Sequence, residues 1–212
     1  MLDSFLNFFI EGGPFMVPII LCSVFAVTIM LERSFALRRA LIIKPSLSKA
    51  IMDLRYGEDT TLIEQLSSGE ETTLSRLVAS CLQHMPWPKA ENMEALQTRA
   101  RAEVSSMERG IVILEIAVGI GPLLGLLGTV YGLIVIFGHM TNQEFSSQGL
   151  YIARGISQAL HCTVAGLVVA IPSLIAFSIF SRRVENYAVE LESLCSDLLV
   201  KLYANAEAGV AA

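Results

Sequence analysis

Three apolar runs constrain this chain more than any other feature. They cover Pro14–Leu31, Ile111–Gly138 and Ala159–Ser181, and the charged residues fill the stretches between them. A helix needs roughly 20 mostly apolar residues to cross a hydrocarbon core about 30 Å thick. The second and third runs meet that length and the first is near its lower limit. Of the 212 residues, 53% are hydrophobic and only 17% charged, against about 25% charged in an ordinary soluble domain. A soluble fold that buried all three runs would have few groups left to solvate it. The sequence therefore predicts an all-α integral membrane protein, one domain over residues 1–212, with spans at about 14–34, 111–138 and 156–181. Met1–Gly13 holds Asp3 and Glu11 and no basic residue, which is unlike a cleavable signal, so the first run is expected to stay as a spanning helix.

Basic residues near a span are retained on the cytoplasmic side. Arg33, Arg38, Arg39, Lys44 and Lys49 follow the first run, Arg99, Arg101 and Arg109 precede the second, and Arg182 and Arg183 follow the third. The link between the second and third spans offers only Arg154. These positions agree on one topology, with the N-terminus outside, a large cytoplasmic segment over about 35–110, a short outer link and the C-terminus inside. The net charge of −5 is spread along the chain, and no basic block points to nucleic acid. The four cysteines have neither metal-ligand nor redox spacing and read as reduced thiols.

The cytoplasmic segment reads as helical. Ser46–Tyr56 is amphipathic, Thr61-Leu62-Ile63-Glu64 fits a capping box, and Thr73–Met85 sets Leu74, Leu77, Val78, Cys81 and Leu82 on one stripe. Pro86-Trp87-Pro88 breaks the pattern, and one long helix is expected from Lys89 to about Phe137. A C-terminal helix over about 182–205 should continue the third span inward, with Leu191, Leu194, Cys195, Leu198 and Leu202 on an apolar stripe.

The polar and small residues of the spans carry the chemistry. Gly121/Gly125 and Gly128/Gly132 are small-xxx-small pairs, which let helix backbones approach closely in lipid. Ala159, Thr163, Gly166, Ala170 and Ser173 form a matching stripe in the third span. Thr129 and Thr163 fall at similar depths on helices running in opposite directions. They either line a polar path or each bond the carbonyl four residues back in their own helix. Glu115 is the only carboxylate inside an apolar run. It reads equally as a pore or vestibule residue and as a side chain reaching the nearby interface. Gln158 marks the outer mouth of the third span. His161 reads as a packed or interfacial ring, and its pairing with Ser157 at i−4 is a weak signal for catalysis. Nucleophile elbow, zinc-ligand and phosphate-loop motifs are absent from the sequence, so no enzyme activity, metal or cofactor is expected.

At these residues the chain resembles the MotA/TolQ/ExbB family of proton-channel subunits. Gly121-Pro-Leu-Leu-Gly-Leu-Leu-Gly-Thr-Val-Tyr-Gly-Leu-Ile134 is similar to the family's second-span signature, and Gly155–Pro172 to its third. Pro18-Ile-Ile-Leu and Glu32-Arg33 look like its first span and exit. Three spans and a modest cytoplasmic segment fit the ExbB/TolQ branch better than MotA.

The resemblance implies a pentamer in the bacterial inner membrane, with the second and third spans around a central pore. An ExbD/TolR-type partner would place single helices in that pore with an aspartate as proton carrier, and a TonB- or TolA-type protein could join the complex. Protons would be the coupling ion and mechanical work the output. By the same resemblance Thr129 and Thr163 are the two pore threonines. Many relatives have a Glu where this chain has Gln158, and an amide cannot titrate. A Tol-type envelope subunit, a gliding-type motor and a non-conducting scaffold are the alternative roles.

Overall fold

A computed structural model describes residues 12–55, 60–68, 72–139 and 145–210. Among the described residues every regular element is a helix. In chain order these are α1 (Met16–Ala36), α2 (Arg39–Ile42), α3 (Pro45–Asp53), α4 (Thr61–Ser68), α5 (Thr73–Gln83), α6 (Lys89–Glu108), α7 (Ile111–His139) and α8 (Phe145–Val210). Three of these, α1, α7 and the Gly155–Ala204 stretch of α8, are long and apolar enough to cross a membrane. By packing, the chain divides into two compact units: one comprises the described residues up to Glu32 with Gly110–Ile179, the other Arg33–Arg109 with the end of α8 from Phe180.

The first unit is packed inside out by the standards of a water-soluble protein. Its buried positions on α7 and α8 are mainly small: Gly121, Gly125 and Gly128 face inward, as do Ala159, Cys162, Ala165, Gly166 and Ala170. The large side chains point away, with Leu123 64%, Ile134 63%, Phe137 66% and Val168 64% exposed. In lipid, Leu gains nothing by leaving the tails for a protein core, so helices associate through backbone approach and small residues. An apolar surface of this extent needs lipid or protein to cover it. α1 joins the α7–α8 pair through Met16 and Ile19, which pack with Ala165, Leu124 and Val169. Pro122 and Pro172 lie inside α7 and α8, and neither ends its helix.

The second unit follows the opposite rule. Leu47, Ile51, Leu74, Leu77, Leu194 and Leu198 are fully buried, and its charged side chains lie mostly at the surface. The inner stripe expected on α5 is buried at Leu74, Leu77, Val78 and Cys81, with Leu82 half-buried. The stripe Leu191, Leu194, Cys195, Leu198, Leu202 of α8 is buried throughout. This distal part of α8 is laced to the other elements by polar side chains. Tyr187 Oη donates to the Leu37 carbonyl at 3.3 Å, and Glu190 pairs with Arg39 at 2.6 Å. Lys201 Nζ donates to the Ile51 and Met52 carbonyls at 2.8 and 2.9 Å, where the last turn of α3 leaves acceptors without intrahelical donors. Asn92, fully buried on α6, donates to the Cys81 carbonyl and to Tyr203 Oη. Arg76 of α5 forks onto both carboxylate oxygens of Glu103 of α6.

Several local expectations shift. The single helix from Lys89 to about Phe137 is two helices, because α6 ends at Glu108 and a turn at Arg109–Gly110 precedes α7. Glycine costs a helix interior about 1 kcal/mol relative to alanine, and Gly110 stands where the two packing units divide. The cap before α4 falls on Thr60, whose carbonyl accepts from the Ile63 and Glu64 N–H groups; Thr61 is already helical. α3 stops at Asp53 rather than near Tyr56, and α5 at Gln83 rather than Met85. The expected outer link is itself helical from Phe145, since no proline interrupts the chain between there and the third span. Gly57 and Gly69, the glycines at which the sequence would end the helices begun near Ser46 and Thr61, lie outside the described residues.

Candidate functional site

The site lies where α7 and α8 cross at their small residues. A methyl group added at Gly121 would stand 3.0 Å from the Gly166 carbonyl oxygen, and one at Gly125 would stand 2.9 Å from the Cys162 carbonyl oxygen and 3.0 Å from Thr163 Cα. At Gly128 it would meet Cys162 Sγ at 2.7 Å, and at Gly132 the Ala159 Cβ at 3.1 Å. Gly166 meets Gly121 and Gly125 from the other side, and Ala170 faces Gly121. The two helices are therefore in close contact over three turns, and Gly121, Gly125, Gly128 and Gly132 leave little space for a larger residue.

This approach brings Thr129 and Thr163 together. Their hydroxyls are 2.5 Å apart, and either can be the donor. Thr129 Oγ1 also lies 3.1 Å from the Gly125 carbonyl oxygen and 3.3 Å from that of Ala159. Thr163 Oγ1 reaches the same Gly125 oxygen at 3.4 Å. A hydroxyl has one proton and two acceptor lone pairs, so these contacts cannot all be made at once. Thr129 can donate to Thr163, which then donates to Gly125. Alternatively Thr163 donates to Thr129, which then donates to Gly125 or Ala159. The pair thus has two hydrogen-bonding directions with the same heavy-atom positions. The carbonyl four residues back is one acceptor among three, so own-helix bonding and cross-helix pairing coexist at Thr129. Both side chains are half-buried, which leaves one side open to a third group.

Other singled-out residues sit elsewhere. Gln158 is exposed and lies against Gly13, whose φ of +74° forms the turn ahead of α1; a side chain at Gly13 would strike Gln158 Nε2 at 2.7 Å. Glu115 is exposed on α7, nearly four turns of helix (about 21 Å) from Thr129. His161 Nδ1 bonds the Ser157 carbonyl at 2.6 Å, so the ring engages the backbone of Ser157 rather than its hydroxyl. Sequence reasoning did not single out Cys162, which fills the space beside Gly128 and donates to the Gly12 carbonyl at 2.7 Å. Nor did it single out the edge-to-face contact of Phe15 with Tyr131 at 5.3 Å. Both tie the segment at α1 to the α7–α8 pair, and the spacing of residues within one helix carries no signal for either. All four cysteines are free thiols.

The profile of the MotA/TolQ/ExbB proton channel family matches residues 70–193, which include the crossing and both threonines. The chain belongs to this family. It is similar to an ExbB-like biopolymer transport protein of Synechocystis, with 32% identity over 190 residues that cover 86% of this chain and 74% of that one. The biopolymer transport protein exbB1 of Vibrio cholerae is 26% identical over 178 residues, covering 82% of this chain and 78% of its own length. The Tol-Pal system protein TolQ of Haemophilus influenzae is 32% identical over 92 residues, 43% of this chain. Within the family the chain falls in the ExbB/TolQ-like branch, and it is a membrane protein with transmembrane helices.

Proposed function

We propose that this chain is the ExbB-type subunit of an inner-membrane proton channel that turns proton motive force into mechanical work. Five copies surround a pore lined by α7 and the first half of α8, with the N-terminus periplasmic and the C-terminus cytoplasmic. A single-span ExbD/TolR-type partner carries the titrating carboxylate into that pore, and the output is energised TonB-dependent transport across the outer membrane. The observation that carries this reading is the Thr129–Thr163 hydroxyl pair. A buried carboxylate without donors tends to stay protonated. A hydroxyl pair that can reverse its direction can donate to the carboxylate, accept from water and reset without becoming charged. One elementary charge crossing 100 mV releases about 2.3 kcal/mol, so a few protons per step supply enough for a helix rotation or shift. The ExbB-type role is favoured over a Tol-type one because the ExbB-named relatives of Synechocystis and Vibrio cholerae align over 86% and 82% of the chain, and the TolQ relative over 43%.

Thr129→Val and Thr163→Val test the reading, since valine keeps the branched shape and removes the hydroxyl. Each variant, at membrane abundance matched to the parent, is expected to assemble with the partner and to lose proton-driven work in cells. Full activity in both would return the pair to a packing role.

A further inference from the structure

The carboxylate of Glu115 has no role in the packing of α7. It is the only Asp, Glu, Lys or Arg in the 29 residues of that helix. Its side chain is exposed between the exposed Val112 and Ile116, while Leu114 and Ala117 are buried on the other face. A charge at membrane depth is costly and is retained where it faces protein or water and has a task. The helix dipole does not explain it, because that effect fades within the first turn and Glu115 is the fifth residue of α7.

Helical geometry relates Glu115 to the hydroxyl pair. Fourteen positions separate it from Thr129, which is about 21 Å of rise and returns to within about 40° of the same side of the helix. Two features on that side open the backbone between them. Gly119 has nothing within 4 Å of where a Cβ would stand. Pro122 has no N–H, so the Val118 carbonyl is without the donor an α-helix would normally bring to it. Among other titratable groups of the described apolar unit, α1 brings Cys22 and, at its end, Glu32, while α8 brings His161 and Cys162, and α7 itself Tyr131. Glu32 is the one other carboxylate among these groups.

We infer that Glu115 is the proton acceptor at the cytoplasmic end of a hydrated track on α7, which takes up protons that have passed the Thr129–Thr163 pair and releases them to cytoplasmic water. The inference rests on the channel function proposed above. In the step, a track water that has accepted a proton arriving from the Thr129–Thr163 pair gives it to a Glu115 carboxylate oxygen and is left neutral, and the O–H bond so formed then breaks to a cytoplasmic water, which carries the proton away. The carboxylate is regenerated and one proton has moved.

The test is proton flux per assembled complex, measured in liposomes containing the full chain co-purified with its single-span partner. Glu115→Gln is expected to lower flux on the order of tenfold or more, as loss of a positioned proton-transfer group does. Glu115→Asp, one methylene shorter and still titratable, is expected to keep most of it. Glu115→Gln flux equal to the parent's, with Thr129→Val blocked, would overturn the role of Glu115 and leave the channel function standing. Poorer assembly with unchanged flux per complex would also overturn it, and would assign Glu115 to contact between copies. Unaltered flux in Thr129→Val would instead count against the channel function itself.

Discussion

The crossing of α7 and α8 predicts opposite outcomes for the same substitution at two glycines of one helix. In Gly125→Ala the new methyl would stand 2.9 Å from the Cys162 carbonyl oxygen and 3.0 Å from Thr163 Cα. Carbon contacts are optimal at about 3.5–4.0 Å, and both neighbours are backbone atoms that cannot rotate away, so the helices must part by about half an ångström. Overpacking of this kind costs about 1–3 kcal/mol. In Gly119→Ala the methyl meets nothing within 4 Å. Both variants share the gain of about 0.5–1 kcal/mol from replacing a helical glycine by alanine, so their difference isolates the clash. At about 2–4 °C per kcal/mol for a chain of this size, Gly125→Ala should melt roughly 2–12 °C below Gly119→Ala when both are purified in the same detergent. Separating the helices also lengthens the contacts of Thr129 with Ala159 and of Thr163 with Gly125, already 3.3 and 3.4 Å. Proton-driven activity should therefore fall in Gly125→Ala beyond what its abundance explains. Equal melting temperatures would refute the close approach on which the site is built.

Two further outcomes follow from the second unit. Lys201→Met keeps the length of the side chain but removes the donor to the Ile51 and Met52 carbonyls; it should destabilise by about 1–2 kcal/mol and raise amide hydrogen exchange at the end of α3. Burial pushes the Cys81 thiol up to about 11 and the Cys195 thiol to about 12, from an ordinary value of 9.0. The neutral thiols are therefore favoured by folding, so the stability they contribute is intact below pH 9 and declines as pH rises above 9, where the unfolded thiols ionise and the folded ones do not. Maleimide labelling of either in the folded protein should be slow at pH 8 and rise steeply above pH 9; fast labelling at pH 8 would show that they are not buried.

The sequence by itself determined how many helices can span, in what order they come along the chain, and which faces of α5 and distal α8 turn inward. Each of these depends on composition and period along a single helix. Runs such as Ile111–Gly138 are too apolar to be solvated, and leucines at Leu191, Leu194, Leu198 and Leu202 share one side whatever they pack against. The small-residue stripes likewise announced that two helices would approach closely. Helix ends were less legible, as the turn at Arg109–Gly110 and the early start at Phe145 show, because a single glycine or a polar stretch ends a helix only when packing does not override it. What only the tertiary structure decided is pairing. It set Gly125 against Thr163, closed the two threonine hydroxyls on each other, and put two carbonyl acceptors, those of Gly125 and Ala159, within reach of their two protons. It also took Gln158 away to Gly13 and left Glu115 on an open face. Those outcomes depend on the offset and rotation between helices, where a shift of one residue turns a side chain by about 100°. The repeat along either helix does not contain that information.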